Sequence, residues 1–231
     1  SRGLGDVYKR QLREHGVADD RIEVIRSAVD TGRLSKPTDC GKVREAFAVP
    51  ADACVVAAAG QLIPRKGHRY LLQAVADLHR RYPQLRLVIF GEGYLNNQLR
   101  AQSASLGLGD VVQFAGFRDD LDDFMGCIDI FAHPALAEGL GVATLKAAAA
   151  AVPVVGFAAG GLPEAVVDGE TGVLVPPEDV DALSRALATL IGDADLRQRM
   201  GAAGQDRMQK EFSIATMADK HVNLYETILN G

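Results

Sequence analysis

Three loops of this 231-residue chain carry residue types able to grip an anion or a hydroxyl-rich ligand. In the first, GQLIPRKGH over 60–68, Lys66 stands directly before Gly67 and the start of a helical pattern. An ammonium and free helix N–H groups can there face the same anion. Taken alone, the loop serves equally well as a solvated turn bearing Arg65 and Lys66. The second loop, HPALAEGLGVATLK over 133–146, is denser. Glu138 precedes Gly139, Leu140 and Gly141, and Val142 opens a helix, so successive backbone N–H groups can form an anion nest. A carboxylate beside that nest would repel phosphate, but it can accept hydrogen bonds from neutral sugar hydroxyls. A helix N-terminal acid stabilised by the dipole is the competing reading. The third loop, AAGGLPEAVVDGETGVLVPPED over 158–179, offers Gly160, Gly161 and Glu164 as loop support or as ligand contact.

Such loops need a scaffold that brings them to one edge. From Ala53 onward, short β-branched runs alternate with amphipathic stretches of helical period. That alternation predicts a parallel sheet with helices on both faces, an α/β Rossmann-like fold. Strands are predicted over 54–59, 85–90, 111–114, 128–132, 152–157 and 173–175, with a further short strand over 22–25. Helices are predicted over 68–82, 95–106, 121–125, 142–151, 180–191, 194–208 and 215–229. Glycines follow the strands at 60–67, 91–93, 116, 139–141 and 160–161. In open α/β sheets that edge binds ligands, and glycines there let backbone approach an extended ligand. Leu71, Leu72, Val75 and Leu78 form a core stripe.

Composition narrows the function classes. A net charge of −5 gives no hint of a nucleic-acid surface, while leaving room for a local basic pocket. No apolar run approaches the ~20 residues of a membrane helix. The three cysteines, Cys40, Cys54 and Cys127, are odd in number and far apart, and read as reduced thiols. The histidines show no metal spacing. The acidic run Asp119, Asp120, Leu121, Asp122, Asp123 is read as a helix N-terminus rather than a metal motif. His133 fits a ligand contact or a satisfied core histidine.

In chain order, Gly60-Gln61-Leu62 with Lys66-Gly67, Gly91-Glu92-Gly93, Gly116-Phe117, Glu138-Gly139-Leu140-Gly141 and Gly160-Gly161-Leu162-Pro163-Glu164 resemble the donor-binding domain of family 4 glycosyltransferases. The resemblance covers roughly residues 17–229. It implies a retaining, metal-independent enzyme of two facing Rossmann-like domains (the glycosyltransferase B fold), this chain being the C-terminal one. The substrate implied is a UDP- or GDP-linked sugar, with no other cofactor. By the same resemblance Lys66, Gln61, Gly139, Leu140, Gly141 and Val142 meet the donor diphosphate, and Glu138 meets the sugar. Lys66 and Glu138 carry the catalytic roles, and Gly116, Phe117 and Lys146 fall near base and ribose. Two positions depart from the pattern: Gln61 stands for the usual arginine, and Lys146 for a second glutamate.

The implied organisation is a preceding-domain remnant with a linker over 12–41 and a nucleotide-sugar-binding domain over 42–231. Residues 1–11, SRGLGDVYKRQ, resemble a translated sequencing adapter. An acceptor held by another domain, surface polysaccharide or lipid glycosylation and peripheral membrane association of the full enzyme follow from the same likeness, and a cytoplasmic location is the expectation where no membrane-length apolar run is seen. A non-catalytic nucleotide-binding module remains the alternative, and a sugar-nucleotide epimerase a more distant one.

Overall fold

The computed structural model describes residue 9 and residues 11–36, 39–47 and 49–230. Most of the adapter-like stretch and residues 37 and 38 of the expected linker lie outside the described residues. The strands are β1 (Cys54–Ala59), β2 (Leu85–Phe90), β3 (Val112–Gly116), β4 (Ile130–His133), β5 (Val154–Phe157) and β6 (Gly172–Val175). The helices used below are α1 (Thr31–Leu34), α2 (Cys40–Ala46), α3 (His68–His79), α4 (Asn96–Ser105), α5 (Leu121–Met125), α6 (Val142–Ala149), α7 (Leu162–Ala165), α8 (Val180–Gly192), α9 (Ala194–Glu211) and α10 (Ile214–Asn230).

The six strands form one parallel sheet in the order β3-β2-β1-β4-β5-β6. β1 shows why the sheet is covered on both faces. Its six residues are all buried, and its pleat divides them between two cores. Cys54, Val56 and Ala58 pack with Leu71, Val75 and Leu187 on one side. Val55, Ala57 and Ala59 pack with Phe124, Leu145 and Met208 on the other. The order reverses between β1 and β4, so their loops diverge to opposite faces and leave a crevice at the carboxyl edge.

Local chemistry sets the element ends. Asp179 and Asp193 accept hydrogen bonds from the amides of Ala182 and Leu196, capping α8 and α9. α6 stops two residues before the expected end because Ala151 turns to a φ of 59°. There its carbonyl oxygen abuts Gly201 of α9, where an added Cβ would lie 2.0 Å from it.

Two expectations are corrected. The segment 22–25 forms no strand; it runs beside the body with only Ile22 buried, and it joins no ladder. Within the stretch expected to hold the remnant and linker, 12–41, α1 lies against the body, its Leu34 buried with Val29 and Phe47 in the second core. The cysteines are not all free. Cys40 at the start of α2 is bonded to Cys127 just after α5, 87 residues away in sequence. α2 is laid against that turn, which sequence separation does not reveal. Cys54 is free and buried, and burial, with the charge of Asp129, pushes its thiol up to about 12.

The bridge closes a long loop, so reducing it restores chain entropy to the unfolded state. Urea unfolding with and without reductant is expected to show a loss of about 2–4 kcal/mol on reduction. Coincident curves would show that the bridge contributes nothing.

Candidate functional site

The loops after β1 and β4 are laced together by backbone. Gly67, at a φ of 69°, lies so close to Pro134 that a Cβ would stand 1.8 Å from its carbonyl oxygen. Leu136 donates its amide to Arg65 O at 2.8 Å. Arg65 in turn donates from its guanidinium to Ala137 O at 3.1 Å. The β5 loop closes the far side. Gly161 N donates to Glu138 O at 3.1 Å, and a Cβ on Gly160 would meet that same oxygen at 2.2 Å. Only residues without side chains fit at these approaches.

This lacing sets Lys66 and Glu138 face to face across the switch point, and they form an ion pair. Both side chains are largely shielded, 14% and 17% exposed, so the pair is poorly screened by solvent. Arg65 adds a second charge 3.7 Å from Glu138, and Gly139 N donates to Oε1 at 3.3 Å. Burial works to raise the Glu138 pKa. The Lys66 hydrogen bond and charge, with His133 and Arg65, outweigh that and hold the carboxyl below its usual range.

Beside the pair, Gly141 at a φ of 72° caps the N-terminus of α6. Its missing side chain leaves space between His133 Nε2 and Thr144 Oγ1, which would lie 3.3 and 3.1 Å from a Cβ there. Both atoms are buried without a hydrogen-bond partner among the described residues. Buried polar atoms are rarely left so, and here they converge on the helix end that attracts anions. Burial first, then the Lys66 charge, pushes His133 down to about 4, and burial does the same to His68. Both rings are therefore neutral near pH 7.

Lys66, His133, Glu138 and the start of α6 line a cavity of about 560 Å³ that crosses the tips of β4, β1, β2 and β3. Lys66, Gln61, Glu138, Gly141 and Val142 line its β1–β4 end. Phe117 lines the β3 end and is 72% exposed. Gly116 supplies the turn before it, at a φ of 71°. Gly139 and Leu140 are not in the lining. Gly139 is pressed on Gly161, and Leu140 packs toward the second core. Lys146 is also outside the lining, its ammonium 2.6 Å from Asp122.

Asp122 also lies 3.9 Å from Arg33, so this part of the acidic run is an ion-pair network. Among the described residues no group of three or more His, Cys, Asp or Glu is placed to hold a metal. Glu164 accepts from Arg26 Nε at 2.9 Å and braces the segment before β1. Glu92, which the sequence offers only as the centre of a motif, and Arg118 also line the cavity, and Thr144 faces Gly141. The glycines around Glu92 were the available signal.

Known proteins resemble this arrangement. Residues 41–207 match the family described as glycosyl transferases group 1. A GDP-mannose-dependent alpha-(1-6)-phosphatidylinositol monomannoside mannosyltransferase of Mycolicibacterium smegmatis is 36% identical, over 80% of this chain and 50% of its own length. The lipopolysaccharide core biosynthesis glycosyltransferase LpsE of Rhizobium meliloti is 32% identical, over 88% of this chain and 57% of its own. The chain thus spans about half the length of the curated relatives it matches. Among solved structures, HepE of Anabaena in complex with UDP superposes with a TM-score of 0.89 at 26% identity, over 97% of this chain and 63% of that one. The C-terminal domain of a group 1 glycosyl transferase, LpcC of Francisella tularensis, is matched over 99% of its length and 80% of this chain, with a TM-score of 0.73 and 25% identity.

Because His68 and His133 stay neutral when folded but bind protons when unfolded, their contribution to stability is complete above about pH 6.5. It falls away as the pH drops from there toward about 4. Glu138 acts in the same direction, its contribution lost as pH falls through its lowered folded value. The expected loss approaches about 3 kcal/mol per histidine at the acid limit. Urea midpoints measured between pH 7.5 and 4.5 should fall, and His133→Asn should flatten the curve. A midpoint constant over that range contradicts this.

Proposed function

The chain belongs to the group 1 glycosyl transferases, and from that premise we propose that it binds a nucleoside-diphosphate sugar for transfer of the sugar to an acceptor hydroxyl. The observation that carries the reading is the convergence of His133 Nε2 and Thr144 Oγ1, unpartnered among the described residues, on the N-terminus of α6, in the wall of the cavity that Lys66 and Glu138 also line. A diphosphate supplies the anionic oxygens those donors need. A hexose beyond it supplies hydroxyls to a carboxylate that phosphate would otherwise repel.

Transfer places negative charge on the departing diphosphate as the glycosidic bond breaks. Donors already aimed at that charge lower the barrier without reorganising during the reaction. Lys66 and the amides at Gly141, Val142 and Ala143 fill that role. His133, neutral near pH 7, donates through Nε2–H or accepts, according to its tautomer. Glu138 orients the sugar, which is a positioning contribution. Lys66 must leave Glu138, at least in part, to reach the diphosphate, so donor binding exchanges one charge partner for another. The sugar then inherits the freed carboxylate.

Retention at the anomeric carbon, family 4 membership and independence from a metal belong to the same proposal, supported by the order of the five glycine-bearing motifs. A companion domain holds the acceptor in this reading; relatives about twice as long leave room for one. Relatives named for GDP-mannose and for lipopolysaccharide core biosynthesis support a nucleotide sugar as donor and a surface glycolipid or polysaccharide as product. That in turn supports work on the cytoplasmic side of a membrane, with peripheral attachment. The UDP complex of HepE extends the donor choice to both bases.

Titration calorimetry of the purified chain with UDP and GDP tests the site. Lys66→Ala is expected to weaken binding roughly 10–100-fold, the loss of one or two charge-assisted hydrogen bonds. Glu138→Gln should leave nucleotide binding intact or tighter, because it releases Lys66, while removing the preference for a sugar-bearing donor. Lys66→Ala binding like the parent overturns the proposal, and binding without turnover in a two-domain enzyme would favour a non-catalytic module.

A further inference from the structure

The base is left open by the diphosphate end of the crevice, but the opposite end carries groups able to choose it. Four adjacent strands about 4.8 Å apart give a crevice about 14 Å across from the tip of β4 to the tip of β3. With the diphosphate between β1 and β4, the nucleoside extends over β2 toward β3. The exposed ring of Phe117 offers a flat apolar face there, suited to stacking a base.

Two charged side chains line that end. Arg118 is already engaged: it donates to both carboxylate oxygens of Asp120, at 2.7 and 2.5 Å, and lies over the Phe124 ring at 4.9 Å. Glu92 is different. Among the described residues its carboxylate has no hydrogen-bond or ion-pair partner, and it is exposed to the cavity. Its Oε1 stands 3.9 Å from where a Cβ on Gly116 would be, over the tip of β3.

The backbone beneath it is fixed. Gly91 N donates to Gly116 O at 2.7 Å, and Leu62 N donates to Glu92 O at 2.8 Å. A Cβ on Gly91 would lie 2.0 Å from Gly60 O, and one on Gly93 would lie 2.4 Å from Leu62 O. The two glycines let the loop press onto the β1 turn, so the carboxylate is presented from a braced position.

A carboxylate only accepts hydrogen bonds, and two oxygens side by side match two donors side by side. Guanine presents that pair, N1–H and the N2 amino group. Uracil presents one N–H between two carbonyl oxygens, which the carboxylate repels. Adenine and cytosine each set a single amino group beside a ring acceptor. We infer that Glu92 reads the N1–H and N2–H edge of guanine, and that the donor is a guanosine-diphosphate sugar. This rests on the donor-site reading above and selects within it.

Calorimetry with GDP, inosine diphosphate and UDP provides the test, since inosine lacks only the N2 amino group. The parent chain is expected to bind GDP about tenfold or more tighter than UDP, with inosine diphosphate between them. Glu92→Gln should weaken GDP by about tenfold and bring GDP and inosine diphosphate close together, while UDP changes less than about threefold. An unchanged melting temperature for the variant would show that the fold is intact. UDP binding as tightly as GDP in the parent overturns the inference and leaves the donor site standing. An equal loss for all three in the variant also overturns it, placing Glu92 on the shared ribose. Failure of every nucleotide to bind the parent sinks both readings.

Discussion

The close approach of bare backbone among the β1, β4 and β5 loops is the constraint on which the site depends. Gly67 against Pro134 and Gly160 against Glu138 leave no room for a Cβ. Without those approaches, Arg65 could not bond the backbone of Ala137, nor Leu136 that of Arg65. The two loops would separate, and Lys66 and Glu138 would lose each other with them. The parallel sheet supplies the second half of this arrangement. Strand order reverses between β1 and β4, so the chain leaves each strand on a different face and opens a gap at the point where the loops must meet again. Glycine closes that gap at backbone distance while leaving its mouth open.

An ion pair so shielded has consequences for binding. The desolvation of two charges is only partly offset by their attraction, so Lys66 and Glu138 each gain when a better-matched partner arrives. A diphosphate beside a hexose offers one to each at once. The pair also keeps an unliganded pocket from presenting a bare positive charge, which would hold any phosphate. The remaining donors at that end, amides of α6 with His133 and Thr144, are neutral and fixed by packing. They discriminate by position where a charge discriminates only by sign.

Much of this was legible in the sequence because it is local. The β1 run of six apolar residues, the helical stripe at Leu71, Leu72, Val75 and Leu78, and the glycines after each strand depend on neighbours a few residues away. Pattern therefore reports them directly, and Lys66, Glu138, Gly141 and Val142 do gather at one crevice. The features missed depend on contacts between distant segments. Cys40 meets Cys127 only because α2 lies across the turn after α5. Lys146 pairs with Asp122 because α5 and α6 are neighbours in space. Residues 22–25 have strand-like composition, yet β3 and β6 form the sheet's edges and neither pairs with them. Glu92 was within view as the centre of a Gly-Glu-Gly turn. Its significance came from its having no partner among the described residues, which no sequence displays.

Pairing decides which of the chain's many charges are available to a ligand. Lys146 and Arg33 converge on Asp122, and Arg118 is held by Asp120 over an aromatic ring, so these charges answer to one another outside or at the rim of the crevice. Along the crevice floor the pairing thins out. At the β1–β4 end Lys66, with Arg65 beside it, is matched to Glu138, and toward β3 the Glu92 carboxylate has no partner among the described residues. A ligand that fits must then bring negative charge to the first end and hydrogen-bond donors to the second, with a flat ring between donor edge and Phe117. The sheet sets the distance between those two demands, because each is fixed to the tip of a different strand.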